Sequence, residues 1–368
     1  MPTADEMLHA ATVEALAECL ARAHAGRLRR LRGCGAELSG RRHSERVTAI
    51  RDALLDDLPA AFDAFDTILR AALDDEEFTG WMILPVTEAV AVRGIEVVEP
   101  ALELLADLTP RLTAETAVRP FLRTAQRRTL AVIESWTHHP DAHVRRLASE
   151  STRPRLPWAT RVPCLTADPT PAVPILDALY RDNSDYVRRS VGNHLNDISH
   201  DHPDLAVAVA ARWALAPDPT TGAVLRRGLR TLVKKGHSGA LELLGYAPDT
   251  PVHVMGPVVR TSAVAIGEHL EFECTITNPG PGQATYLVDY CVLFLRADGS
   301  HGTKVFKLSS RTLEAGAEWT IVRRHSFVPI STRRYYPGTH HVQIQVNGVP
   351  HPTAQFELTA QTRRAPGR

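Results

Sequence analysis

Two segments of the chain repeat one another: H-P-D-A-H-V-R-R-L-A-S-E at 139–150 aligns with D-N-S-D-Y-V-R-R-S-V-G-N at 182–193, a displacement of 43 residues. A weaker third copy, P-D-P-T-T-G-A-V-L-R-R-G-L at 217–229, follows 38 residues later when the R-R pairs are superposed. Periods near 40 with two helices each constrain a fold strongly, because a single unit cannot bury its own apolar stripe and must stack on its neighbours. The expected architecture of this part is an α-solenoid with a concave surface.

Helical spacing extends well before the repeats. Val13, Leu16, Ala17 and Leu20 share one face, as do Val47, Ile50 and Leu54, with Ser44 placed as an N-cap. Beyond Pro251 the period changes to two: Leu270, Phe272, Cys274 and Ile276 alternate with polar neighbours. Similar runs at 286–296, 304–308, 318–327 and 341–346 are separated by the turn signals N-P-G-P-G, A-D-G-S, E-A-G-A and N-G-V-P. About seven short strands over ~100 residues predict an immunoglobulin-like sandwich. At 368 residues the chain is too long for one ordinary core. The expected fold class is multidomain: an all-α HEAT-like α-solenoid over 1–245, a linker at 246–257, an all-β immunoglobulin-like sandwich at 258–360 and a disordered tail at 361–368.

Forty-two basic side chains balance 42 acidic ones, but residues 1–118 carry 12 basic and 21 acidic groups, and 119–250 carry 18 and 13. The neutrality therefore averages an acidic front and a basic remainder, and basic surface suits a polyanionic ligand as well as a solvated face. Five scattered cysteines form no C-x-x-C pair and read as reduced thiols, Cys274 and Cys291 being the pair to test for a disulfide. The N-terminus lacks a basic segment followed by an apolar run, and no stretch approaches the roughly 18 apolar residues needed to span a bilayer. A soluble, cytoplasmic monomer is expected. No phosphate-binding loop, dinucleotide fingerprint or H-E-x-x-H motif is present. His139 and His143 have metal-like spacing, but Pro140 separates them, and His340 and His341 read as solvated. The expectation is no metal and no cofactor.

In the first repeat Asp141 is placed to cap a helix whose core stripe is Val144, Leu147 and Ala148, while Arg146 and Glu150 share another face. In the second, Val187 and Val191 point inward and Arg189, Asn193 and Asp197 share the corresponding face. Stacking brings Glu150 beside Asn193 and Asp197, so carboxylates gather on a surface rich in arginine. One reading is structural: Arg146 and Glu150 as an intrahelical pair, Arg145, Arg188 and Arg227 as staples between repeats, Trp158 as core. The other is recognition of a cation-bearing nucleic acid. Arginines contact phosphates, whereas carboxylates there make sense only against something positive. A base methylated at a ring nitrogen is such an object, and a carboxylate stabilises the oxocarbenium character that develops as its glycosidic bond breaks. Two prolines in R-P-R-L-P-W constrain Trp158 outside the helix, where an indole face can attract the cation.

The segments S-W-T-H-H-P-D-A-H-V-R-R-L-A-S-E-S-T-R-P-R-L-P-W-A, S-D-Y-V-R-R-S-V-G-N-H-L-N-D-I-S-H-D-H-P-D and L-T-A-E-T-A-V-R-P-F-L resemble the AlkC branch of the HEAT-like-repeat DNA alkylation repair glycosylases. The resemblance spans residues 80–235, and some members carry a C-terminal immunoglobulin-like domain. It implies excision of N-alkylated bases, chiefly 3-methyladenine and 3-methylcytosine, from double-stranded DNA without metal or organic cofactor. It implies active-site roles for Glu115, Glu150, Trp158 and Asp197, of which Glu115 comes from the resemblance alone. Arg146, Arg153, Arg155, Arg189 and Asn193 are the expected DNA contacts, and Arg323, Arg333 and Arg334 a second grip from the β-rich part. No lysine falls between residues 1 and 233, so no amine nucleophile accompanies the cluster. A non-catalytic binder of alkylated DNA and a HEAT-repeat scaffold for a protein partner remain the alternatives.

Overall fold

The computed structural model describes residues 3–360, which divide into two compact units between residues 228 and 229. The expected tail at 361–368 lies outside the described residues. Among those residues no helix is long and apolar enough to cross a membrane.

The first unit is built of helices from Ala4 onward. The predicted stripes are its core: Val13, Leu16, Ala17 and Leu20 are buried on Ala10–Ala23, and Ile50 and Leu54 on His43–Asp57. The latter helix begins one residue before Ser44. The Glu45 carboxylate accepts the Arg42 N–H at 2.8 Å, so an acidic side chain in the first turn satisfies the donor and no serine cap is needed.

Three helices carry the residues of interest: Glu115–Thr124, Ala142–Ser151 and Asp185–Asp201, the middle one packing against both others. Asp141 caps the middle helix, its Oδ1 accepting the His143 N–H at 2.7 Å. Val144, Leu147, Ala148, Val187 and Val191 are all buried. The first arginine of each V-R-R triplet is structural. Arg145 Nη1 donates to the His139 and Pro140 carbonyls at 2.9 and 2.7 Å, and Arg188 Nη1 repeats this with Asp182 and Asn183 at 2.6 and 3.0 Å. Arg145 also spans to the next copy, with Nε 2.6 Å from Asp182 Oδ2. Gly192 sits inside the third helix because a Cβ there would lie 2.8 Å from the Arg227 Cδ. Close packing thus offsets the ~1 kcal/mol that a helix-interior glycine costs relative to alanine.

In the second unit the strands are β1 (His253–Val259), β2 (Ala263–Ala265), β3 (His269–Thr277), β4 (Ala284–Leu295), β5 (His301–Leu313), β6 (Glu318–Ser326), β7 (Gly338–Val346) and β8 (Val349–Thr359). They form a three-stranded sheet, β1-β3-β6, and a five-stranded sheet, β2-β8-β7-β4-β5, antiparallel except where β2 runs parallel to β8. β1 begins at His253, inside the segment read as linker. Leu270, Phe272, Cys274 and Ile276 of β3 share one core with Tyr286, Val288, Tyr290 and Val292 of β4. β4 is buried on its other face too, at Leu287, Asp289 and Cys291. Residues just past 229 pack on the turn between β7 and β8: a Cβ at Gly348 would lie 2.6 Å from Leu241 Cδ1, and Asn347 Nδ2 donates to the Ala247 carbonyl at 3.0 Å. Cys274 faces the core and Cys291 donates to Gln345 Oε1, so the two thiols lie on different faces and do not pair. His340 corrects the solvated reading. It is fully buried, with Nδ1 accepting the Leu295 N–H and Nε2 donating to the Tyr336 carbonyl, because its register position faces the core.

Candidate active site

The second arginine of the first repeat begins a ladder of alternating charge. Arg146 Nη1 donates to Glu115 Oε2 at 2.7 Å and its Nη2 lies 3.4 Å from Glu150 Oε1. Arg153 Nη1 donates to the same Glu150 oxygen at 2.5 Å, and its Nε donates to Asp197 Oδ2 at 2.8 Å. The order is Glu115, Arg146, Glu150, Arg153, Asp197, with one carboxylate from each of the three helices, Arg146 from the second and Arg153 from the loop after it. All three predicted carboxylates are therefore brought together.

Their environments differ. Glu150 is 5% exposed and engaged at both oxygens, since Ser190 Oγ donates to Oε2 at 2.5 Å. Glu115 is half-buried; Thr113 Oγ1 donates to its Oε2 at 2.6 Å, and among the described residues no hydrogen bond reaches Oε1. Burial works against the charges of Arg146 and Arg153, but the carboxylates outweigh it and hold both guanidiniums above their ordinary pKa. Arg146 also lies 4.9 Å from the ring centre of Tyr186, whose hydroxyl is pushed up by burial.

Behind the ladder Arg119 is fully buried, and burial, followed by the charge of Arg153, lowers its pKa to about 10. His194 is fully buried on the third helix and donates from Nδ1 to the Ser149 carbonyl at 3.0 Å; burial lowers its pKa to about 3, so it is neutral. With Arg119 counted, three guanidiniums match three carboxylates. Any attraction for a cation is thus local to single carboxylate oxygens and does not come from net charge.

The predicted DNA contacts separate into two groups. Arg146 and Arg153 are committed to carboxylates and nearly withdrawn from solvent, so a phosphate would have to break those pairs. Arg155 pairs with Asp201 through two bonds of 3.0 and 2.7 Å, and Arg189 pairs with Asp185 at 3.1 Å with over half its side chain exposed. Asn193 is half-buried one turn before Asp197. Trp158 is 76% exposed on a turn with φ of 62°, a left-handed conformation that a bulky side chain rarely adopts. The core reading of this tryptophan is excluded.

Arg119, Thr113 and Ser190 escaped the sequence reading. Arg119 could have been found from A-E-T-A-V-R-P-F, where it stands four residues after Glu115 and so on the same helical face. His139 and His143 do not form a ligand pair: the first accepts the Asp141 N–H and the second packs edge-on against Tyr186 at 5.5 Å. Cys19, Asp75 and Glu77 are close enough to hold a cation, but Arg22 already donates to both carboxylates.

A family model described as a DNA alkylation repair enzyme matches residues 107–214. A second, described as the C-terminal Ig-like domain of the uncharacterised protein YhaZ, matches residues 253–360. The chain is 34% identical over 314 residues to the uncharacterized protein YhaZ of Bacillus subtilis strain 168, covering 85% of this chain and 87% of that protein. Among solved structures it is similar to the Pseudomonas fluorescens alkylpurine DNA glycosylase AlkC bound to DNA containing an abasic site analog. That match has 33% identity and a TM-score of 0.89, covering 98% of this chain and 100% of the other.

Proposed function

The chain belongs to the AlkC branch of the DNA alkylation repair enzymes, and on that premise we propose that it is a monofunctional DNA glycosylase acting on cationic N-alkylated bases, 3-methyladenine and 3-methylcytosine, in double-stranded DNA. The observation that carries this reading is the carboxylate ladder across three helices, with a constrained and exposed tryptophan on the loop that its Arg153 opens. In this reading the paired helices stack as an α-solenoid of HEAT-like repeats, and the ladder lies on its DNA-facing surface.

The reaction is hydrolysis. The bond from the deoxyribose C1′ to the base nitrogen breaks, and its electron pair neutralises the cationic base. Water adds to C1′ and gives up a proton, leaving a free base and an abasic sugar. Glu115 is the carboxylate suited to face the developing positive charge, through Oε1. Glu150, engaged at both oxygens, sets the positions of Arg146 and Arg153. Asp197 completes the acidic side from the third helix. The face of Trp158 offers cation–π attraction worth ~0.5–2 kcal/mol to the alkylated base. Arg155 and Arg189, the more exposed arginines, are the phosphate contacts of this reading.

Methylated DNA incubated with the protein should release free base and leave abasic sites without strand breaks. Tight binding of methylated DNA with no released base would make the protein a lesion binder instead. A borohydride-trapped adduct would require an amine nucleophile, and the chain's four lysines, Lys234, Lys235, Lys304 and Lys307, all lie outside the helical unit.

A further inference from the structure

The segment that presents Trp158 is closed by a single side chain from another helix. Arg119 donates from Nη1 to the Ser151 carbonyl at 3.0 Å and to the Arg153 carbonyl at 2.9 Å, and from Nε to the Thr160 carbonyl at 2.5 Å. Ser151 ends the Ala142–Ser151 helix, and Thr160 lies on the far side of Trp158. One guanidinium therefore holds both ends of the intervening loop. It also meets the Ser151 carbonyl at the helix C-terminus, where a cation is favourably placed. Among the described residues Arg119 makes no salt bridge, although Asp197 and Glu115 are near enough to act on its charge. Its hydrogen bonds go to backbone. A buried guanidinium spent on three carbonyls of one loop is a clamp, and the loop it clamps holds a tryptophan in a left-handed conformation that free chain would relax.

We propose that Arg119 is a positioning residue for base excision, fixing the loop of residues 152–160 so that Trp158 stands at a defined place relative to Glu115, which lies one turn earlier on Arg119's own helix. This rests on the glycosylase reading above. A lysine cannot replace Arg119, because one ammonium on a flexible stem does not reproduce the rigid fork that reaches both loop ends.

The test compares Arg119→Lys, Trp158→Ala and the double variant with the full-length wild type, by single-turnover excision from methylated DNA, binding to undamaged DNA, and tryptic cleavage after Arg155 and Arg161 under native conditions. Arg119→Lys should keep its cooperative melt, lose excision about tenfold or more, hold its affinity for undamaged DNA within about twofold, and be cut faster at both arginines. In the Trp158→Ala background the same change should cost little more, because Arg119 acts through that ring. Full excision by Arg119→Lys, or an equal further loss in the Trp158→Ala background, would overturn the proposal. If Arg119→Lys does not fold, Pro157→Gly loosens the same loop without touching the buried guanidinium. It should reproduce the excision loss and the non-additivity, and wild-type excision there would overturn the clamp. A wild-type protein that releases no base would sink the glycosylase reading; loop cleavage would still judge the clamp, and unchanged cleavage in Arg119→Lys would overturn it.

Discussion

Glu115 and Glu150 have the same carboxyl group and different work to do, and the difference is in their partners. Glu150 neutralises two guanidiniums while nearly out of solvent, so removing its charge leaves Arg146 and Arg153 short of a counterion. Glu150→Gln should lower both excision and stability, the latter by ~1–3 kcal/mol as buried donors lose a charged acceptor. Glu115→Gln should reduce excision by about 10²-fold, as loss of one electrostatic stabiliser typically does, and shift the denaturation midpoint less than Glu150→Gln does, because Glu115 pairs with Arg146 alone and its side chain is 17% exposed against 7% for Glu150. Single-turnover excision and urea denaturation on the two variants check the contrast. Equal destabilisation by both would mean that Glu115 is as structural as Glu150.

At the scale of single elements, the Ala142–Ser151 helix carries Arg146 and Glu150, and its start is set by Asp141 and by Arg145. Asp141→Ala should cost ~1 kcal/mol through the lost cap, with excision little changed once stability is accounted for. Arg145→Ala should cost more, because it strands the buried Asp182 carboxylate and cuts the link from one repeat to the next. Thermal melts of the two variants should rank in that order. The repeat alignment anticipated these staples: V-R-R recurs at 43 residues because each copy must tie its own helix start to the preceding turn. It also set the first arginine, tied to backbone carbonyls, apart from the second, which shares a face with Glu150, but it did not show that Glu115 would take the second. That partner comes from the neighbouring helix, which periodicity within one repeat does not report.

For the molecule as a whole, buried histidines in both units link stability to acid. Burial lowers His194 to about 3 and His325 to about 4, both below the ordinary value near 6.5. The unfolded chain therefore takes up these protons first as pH falls below 6.5, and stability present above that pH is lost progressively down to about 4 to 3. Each histidine contributes a slope of about 1.4 kcal/mol per pH unit within its window. His194→Asn, which keeps a donor for the Ser149 carbonyl, should flatten the acid limb of the helical unit in denaturation measured from pH 7 to 4. Asp289 acts in the opposite sense: burial raises it to about 6, so the folded β-unit holds its proton longer and loses stability as pH rises from about 4 to 6. Asp289→Asn should then be the more stable protein at pH 7. Salt dependence offers a separate check on the β-unit, where Arg323 and Arg334 are exposed. If each meets a phosphate, changing it to Gln should lower the slope of log affinity against log salt by about 0.9. An unchanged slope would leave DNA binding to the helical unit.

Periodicity is a local property, and what depends on it was readable in the chain itself: helices before residue 250, strands after it, the buried stripes, the Asp141 cap, and the gathering of Glu150 with Asp197 through a 43-residue repeat. The family resemblance added Glu115, whose place beside Arg146 no spacing could reveal. Which charges pair depends on distances between segments that the sequence does not encode side by side. Arg146 and Arg153 read as free for phosphate until three helices closed around them. Arg119 was not singled out in the sequence, because the loop that lays three carbonyls against it lies 32 to 41 residues further along the chain, and His340 read as solvated until its register turned it into the sandwich core. In each case a polar group took the partner that burial made obligatory, and burial is a property of the assembled fold.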